Sequence, residues 1–372
     1  MTSPDAPEIS PDRPVVSLDD SVLTLPKRAI RRFPANWEPC ETVWLAWPHN
    51  RETWPDHFEG IPEAFAHFVQ TVAQSTPVRL LAAGNLAMEA KRLLGRSDNI
   101  DLIDIPTNDC WIRDFGPTFV HEDDSVLAID WNFNAWGGKY YPHDLDRAAG
   151  GRIAKAAGLR CLQTELTIEG GALETDGGGR LIVHSACILD PDRNAGISKQ
   201  EIAQQFHQFL GIDEIAWVDG GLLPGDDTDG HIDQLARFVD RENVVVAVAS
   251  DPAVPFSGEL EANYRQIRAW GRETSPAVAV HRLPSPPPRQ INGQNVPQSY
   301  CNFLRLGADR ILVPTLAHRS SDQQAIGILR DLCPRVEIEG VPCEKIAWGL
   351  GALHCASCHQ VAPPKKQATP QR

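Results

Sequence analysis

The chain has 372 residues, 42% of them hydrophobic and 23% charged, a balance that excludes collagen-like, coiled-coil and mostly disordered chains and allows one large domain or two. Asp and Glu number 49 against 35 Lys and Arg, and the net charge of −14 argues against nucleic-acid or anionic-membrane partners and favours a cationic one. No stretch approaches the roughly 20 apolar residues of a membrane span, and nine scattered cysteines suit reduced thiols in the cytoplasm better than a disulfide framework.

Residues 1–28 are rich in Pro, Asp and Ser, lack the basic start and apolar centre of a signal peptide, and read as a disordered tail. From Glu41 to Trp47 apolar, aromatic and β-branched side chains alternate as in a buried strand, and Pro48 ends the run. Ile61 to Gln74 follows as an amphipathic helix. The pattern continues with a strand at Val78 to Ala82, a helix at Leu86 to Leu94, strands at Ile100 to Ile105 and Val126 to Trp131, and a helical stretch near Leu145 to Ala157. Further strands are expected at Arg180 to His184, Val244 to Ala249, Val278 to Leu283 and Ile311 to Val313, with helices at Ser198 to Leu210 and Gly258 to Trp270. Strand and helix alternate, so the class is α/β. The Pro-rich run at 284–290 is too short to separate domains, so residues 29–361 are expected to form one domain, with a flexible tail at 362–372.

Dinucleotide, P-loop, H-E-x-x-H and G-x-S-x-G signatures are absent from the sequence. Cys355-Ala356-Ser357-Cys358-His359 matches the C-x-x-C-H pattern of haem attachment, and the pair could also serve as a redox dithiol. Only Met1 and Met88 could act as a Met axial ligand, no export signal is seen, and one C-x-x-C does not make a zinc site.

Four Gly-rich polar segments stand out: Asn108 to Gly116, Ile168 to Leu173, Pro224 to Asp233 and Gly349 to Cys355. They supply one candidate nucleophile, Cys355, one candidate proton carrier, His231, and the carboxylates Asp114, Glu169, Asp227 and Asp233. So many acids beside a thiol would oppose an oxyanion. They suit a guanidinium, whose planar fork two carboxylates can hold and whose charge favours a thiolate. Each residue alone has a plainer reading: Asp beside Gly caps turns, and Trp111 could be core.

These segments, with Trp37-Glu38-Pro39, TVWLAWPHN at 42–50, FNAWGGKY at 133–140, DPDRN at 190–194 and LPGDDTDGHIDQLARFV at 223–239, resemble those of agmatine deiminases, within the guanidine-modifying superfamily that also holds bacterial peptidylarginine deiminases. The resemblance implies a single-domain, five-fold pseudosymmetric α/β propeller of the pentein type with no metal or organic cofactor. It implies Cys355 as nucleophile, His231 as general acid/base, Asp114 and Asp233 as guanidinium-binding carboxylates, Glu169 beside His231, Trp111 as a pocket wall, and Asp227 as a further substrate contact. The substrate implied is a small cationic guanidine, agmatine first, converted to N-carbamoylputrescine and ammonia. Peptidyl arginine, or a non-enzymatic C-x-x-C redox or haem protein, are the alternatives, and a homo-oligomer is allowed. The chain departs from the family's GGGNIHC-I-T-Q in reading GLGALHC-A-S-C, which leaves Cys358 three residues from the nucleophile and permits a disulfide between them.

Overall fold

The computed structural model describes residues 30–364, so the expected N-terminal tail, and residues 365–372 of the C-terminal one, lie outside it. Ala362 is held in place, its N–H donating to the Pro39 carbonyl and its carbonyl accepting from His121 Nε2. Among the described residues no helix is long and apolar enough to cross a membrane.

The protein is α/β, as the alternation of patterns implies. Val43 to Trp47 are fully buried because Cys40–Ala46 is an inner strand, antiparallel to Ser357–Val361 on one side and parallel to Val78–Leu81 on the other, and apolar on both faces. Its crossover helix, Ile61–Ala73, begins after Gly60 in the left-handed region and turns Ile61, Phe65, Phe68, Val69 and Val72 inward at helical spacing. A further parallel strand, Ile100–Ile103, completes that sheet.

The same order recurs in four more sheets. A short leading strand pairs antiparallel with an inner strand, and a helix carries the chain on to a parallel outer strand. The inner strands are Ser125–Asn132, Arg180–His184, Asn243–Ala249 and Arg310–Thr315, led by Thr118–Glu122, Glu174–Thr175, Ala236–Phe238 and Leu304–Leu306. The outer strands are Arg160–Thr167, Glu214–Val218, Ala279–Ser285 and Glu337–Pro342. The crossover helix Lys199–Leu210 has a capping box between Ser198 and Glu201 and ends at Gly211, whose φ of 69° suits a residue without a side chain. Near Leu145 to Ala157 the expected single helix is two, Asp144–Arg147 and Ala149–Ala156.

Each leading strand is preceded by one helical or tight turn: Ile112–Phe115, Gly170–Ala172, Ile232–Leu235, Tyr300–Asn302 and residues 353–356. Contacts pass from turn to turn. Gly171 N–H donates to Asp114, His231 lies against Glu169, the Cys301 thiol meets the Leu235 carbonyl, His354 N–H donates to the Asn302 carbonyl, and Arg113 N–H donates to the Cys355 carbonyl. The last contact returns to the first turn.

Candidate active site

On the Ile112–Phe115 turn, adjacent side chains diverge. Asp114, 4% exposed, accepts from Trp136 Nε1 at 3.1 Å on one oxygen and from Gly171 N–H at 3.2 Å on the other. Trp136 reaches it from a left-handed stretch, Ala135 to Gly138, where φ is 57, 55, 84 and 78°; the two non-glycine residues bear a cost of about 1–2 kcal/mol each. Burial pushes Asp114 up to about 7, with the His231 charge pulling the other way. Arg113 turns instead to His359 and the His354 carbonyl.

His231 is fully buried between two carboxylates, Nδ1 3.6 Å from Asp114 and Nε2 3.7 Å from Glu169, and neither nitrogen has a hydrogen-bond partner among the described residues. Burial alone would lower its pKa, but Asp114, Cys187 and Glu169 hold it well above the usual imidazole range, so the ring is cationic at neutral pH. Glu169 would itself rise on burial; His231 and Arg193 hold it at about 2. The Arg193 Nε donates to both of its oxygens at 2.9 and 3.0 Å, while Nη1 bridges Asp190 and Asp229.

Cys355 lies in the turn at 353–356, 6% exposed. Asn302 grips this turn at three points: Oδ1 accepts from the N–H groups of His354 and Cys355, and Nδ2 donates to Cys355 Sγ at 3.0 Å. Asp233 Oδ2 is 3.5 Å from the sulfur and 2.7 Å from His354 Nδ1, while Oδ1 has no partner among the described residues. Burial, and with it Arg113 and Arg237, keep His354 neutral, so Nδ1 carries the proton and donates it to Asp233. Burial, then Asp233 and Asp114, push the Cys355 thiol far above its usual range. The resting sulfur is therefore protonated, and only added positive charge can release its proton.

Trp111 packs on Trp54, their centroids 5.9 Å apart, and closes on Cys355 across Gly351: a Cβ there would stand 2.6 Å from Trp111 Cζ3 and 2.9 Å from Cys355 Cβ. Asp227 is half-buried, accepting from Tyr140 Oη at 2.5 Å, with Lys139 on its carbonyl. Six of the seven residues singled out from sequence thus meet in one buried cluster, and Asp227 belongs to a loop stitched to residues 139–140. A wider depression of about 510 Å³, partly open to solvent, lies at Arg113, Cys358 and His359. Of the residues that face Cys355 Sγ, only His354 lines that depression.

Residues 32–361 match the family described as Porphyromonas-type peptidyl-arginine deiminase. The chain belongs to that family. It is 31% identical over 358 residues to an agmatine deiminase of Pseudomonas aeruginosa, covering 90% of this chain and 96% of the relative. Substrate-bound C. jejuni agmatine deiminase superposes with a TM-score of 0.83 at 26% identity, over 90% of this chain and 97% of that one. The Enterococcus faecalis agmatine deiminase gives 0.82 at 26%, over 89% and 95%. The family is one of hydrolases acting on carbon–nitrogen bonds.

Family membership replaces the haem and dithiol readings, and the geometry gives the reason. His359 accepts from Arg113 at Nδ1 and donates from Nε2 to the Arg305 carbonyl at 2.7 Å, so both ring nitrogens are engaged. The Cys358 thiol donates to the Pro117 carbonyl beside Gly116, whereas Cys355 faces Asn302 and Asp233. Four supporting residues carried no role in the sequence reading. Arg193 and Trp136 sit inside segments noted above, DPDRN and FNAWGGKY, where the resemblance marked the stretch without its function. His354 adjoins Cys355, but nothing shows from sequence that it spans 121 residues to Asp233. Asn302 lies in an unremarkable stretch and had no signal.

Proposed function

We propose that the protein hydrolyses the guanidinium group of a small cation, agmatine first, to N-carbamoylputrescine and ammonia through a covalent thiouronium on Cys355. What carries this reading is the enclosure of one thiol and one imidazole by Asp114, Glu169 and Asp233, a pocket whose charge suits a guanidinium and opposes an oxyanion. The free Oδ1 of Asp233 and the carboxylate of Asp114 hold the substrate's N–H groups. Orientation of this kind is worth about 7–11 kcal/mol at best.

Two routes to the thiolate are open, the bound cation or protonated His231. The geometry favours the first, because His231 is aligned on Asp114 and Glu169, and the groups that govern the Cys355 thiol are the two aspartates. As the guanidinium binds, the thiol proton passes to Asp233 Oδ2 and sulfur attacks the central carbon. The cationic His231 gives its proton to the departing nitrogen, and ammonia leaves. A water then attacks, His231 takes one of its protons, and the carbon–sulfur bond breaks as the ureido carbonyl forms and gives the second water proton to solvent, with Asp233 returning the thiol proton. Glu169, fixed by Arg193, keeps the imidazole basic enough for both steps.

The five matching turn-and-sheet units, with contacts that return from the fifth turn to the first, support a single-domain five-fold pseudosymmetric propeller with this pocket on its axis. The nine unpaired thiols suit a reducing compartment such as the cytoplasm. The test is release of ammonia and ureido product from agmatine, arginine and a blocked arginine peptide offered to the reduced protein. Turnover of agmatine in preference to the others is expected; preference for the peptide transfers the same chemistry to a protein substrate, and failure on all three refutes the reading.

A further inference from the structure

A second buried thiol stands beside His231. Cys187, 1% exposed, points its sulfur at Glu169 Oε2, 3.7 Å away, and His231 Nε2 is 3.7 Å from that same oxygen. All three atoms lie within 4.8 Å of one another. Tetrahedral zinc bound at its usual sulfur, nitrogen and oxygen distances separates such ligand atoms by about 3.4–3.6 Å, so shifts of a few tenths of an ångström at the two measured edges meet that geometry. His231 Nε2 is an unpartnered, fully buried nitrogen aimed into the cluster.

We infer that Cys187, His231 Nε2 and Glu169 Oε2 form a capture site for a thiophilic divalent cation of the zinc and cadmium class, whose binding withdraws the imidazole from proton transfer.

Surrounding groups already have the arrangement such a site needs. With Nε2 on the metal, the Nδ1–H faces the Asp114 carboxylate, itself fixed by Trp136 and Gly171. A carboxylate behind a metal-bound histidine is the usual way to orient the ring. Arg193 occupies one side of Glu169, but a carboxylate accepts at about four lone-pair positions, and the Arg193 charge is matched by Asp190 and Asp229. Capture forms a metal–sulfur and a metal–nitrogen bond and releases two protons to solvent, one from the Cys187 thiol and one from the imidazolium. Binding therefore tightens as pH rises. The inhibitory half of the inference rests on the role proposed for His231 in turnover; the binding half does not.

The experiment titrates Cd²⁺ into the reduced full chain carrying Cys355→Ala, following the ultraviolet band of the cadmium–thiolate bond, with and without Cys187→Ser. The other thiols are common to both proteins, so their difference reports Cys187. A saturable band from a single equivalent, lost with Cys187→Ser, is expected, together with at least about tenfold weaker binding in Cys355→Ala/His231→Gln. A band unchanged by Cys187→Ser overturns the site. So does a band present in the unaltered chain and absent after Cys355→Ala, which assigns the metal to the nucleophile. If Cys187→Ser does not fold, the His231→Gln comparison decides, and unchanged affinity there overturns the site. Zn²⁺ should abolish agmatine turnover in parallel with binding; occupancy without inhibition overturns the inhibitory half and leaves capture standing.

Discussion

Asp114 and Asp233 share one pocket and are both buried, yet their charges are supported in different ways. Asp114 has both oxygens on neutral N–H donors, and its countercharge is His231, a group that itself titrates. Asp233 has one oxygen on His354 and one free, and His231 first, then the nearby arginines Arg237 and Arg113, oppose the rise that burial imposes. Both carboxylates thus lean on the same proton carrier, and Asp233 adds two cations that never lose their charge. Asp114 therefore depends more heavily on a group that itself titrates.

The sharpest way to break the comparison is to remove what both carboxylates serve. Cys355→Ser should lose roughly a thousandfold or more of turnover, read as ammonia release, with unchanged folding; normal activity would refute the nucleophile. Next, Arg193→Met takes away the fixed cation behind Glu169 and leaves a buried charge unpaired, which should cost about 3–5 kcal/mol in denaturant unfolding. Asp114→Asn and Asp233→Asn should each lose about 2–5 kcal/mol of transition-state binding, roughly thirtyfold to several thousandfold in kcat/KM. If only one of them mattered, the paired grip on the substrate would be wrong.

Proton dependence separates the two carboxylates further. Burial pushes Asp114 up to about 7, and with its ionised form in the proposed role of holding the cation, kcat/KM should fall about tenfold per pH unit below 7. Activity should also fall at high pH, where His231 loses the proton it must donate. Trp136→Phe removes a donor to the ionised form of Asp114, and the acid limb should move upward, lowering low-pH activity several-fold. An unmoved limb would assign it to another group.

The chemistry of this pocket was legible because its residue types are unusual together: a thiol, an imidazole and several acids in Gly-rich segments admit few reactions. The inner strands were legible for a related reason, since Arg180–His184 and Asn243–Ala249 are buried on both faces and read as apolar runs. Three of the four outer strands of the later sheets were not, the exception being Ala279–Ser285, expected at Val278 to Leu283. Arg160–Thr167 and Glu337–Pro342 carry exposed polar side chains along much of their length, and the leading strands, two to five residues each, are too short for any period to show. The helix Arg319–Leu332 was missed because few of its side chains are buried. Support residues such as Asn302 escape for a deeper reason: their role is a position beside a distant turn, and position is set by the fold.

The pairing of Ser357–Val361 with Cys40–Ala46 joins the two extremes of the described chain in one sheet. That has a consequence for biosynthesis. Chains emerge from the ribosome N-terminus first, so the acids and the imidazole are made well before the sulfur that they flank. Until the residues around 353–361 are released, the first sheet has an open edge and the pocket lacks the Cys355 thiol. Hydrolytic competence should therefore appear only once residues 353–361 have left the ribosome, and truncation before residue 355 should yield a product that is silent and carries an exposed strand edge prone to aggregation.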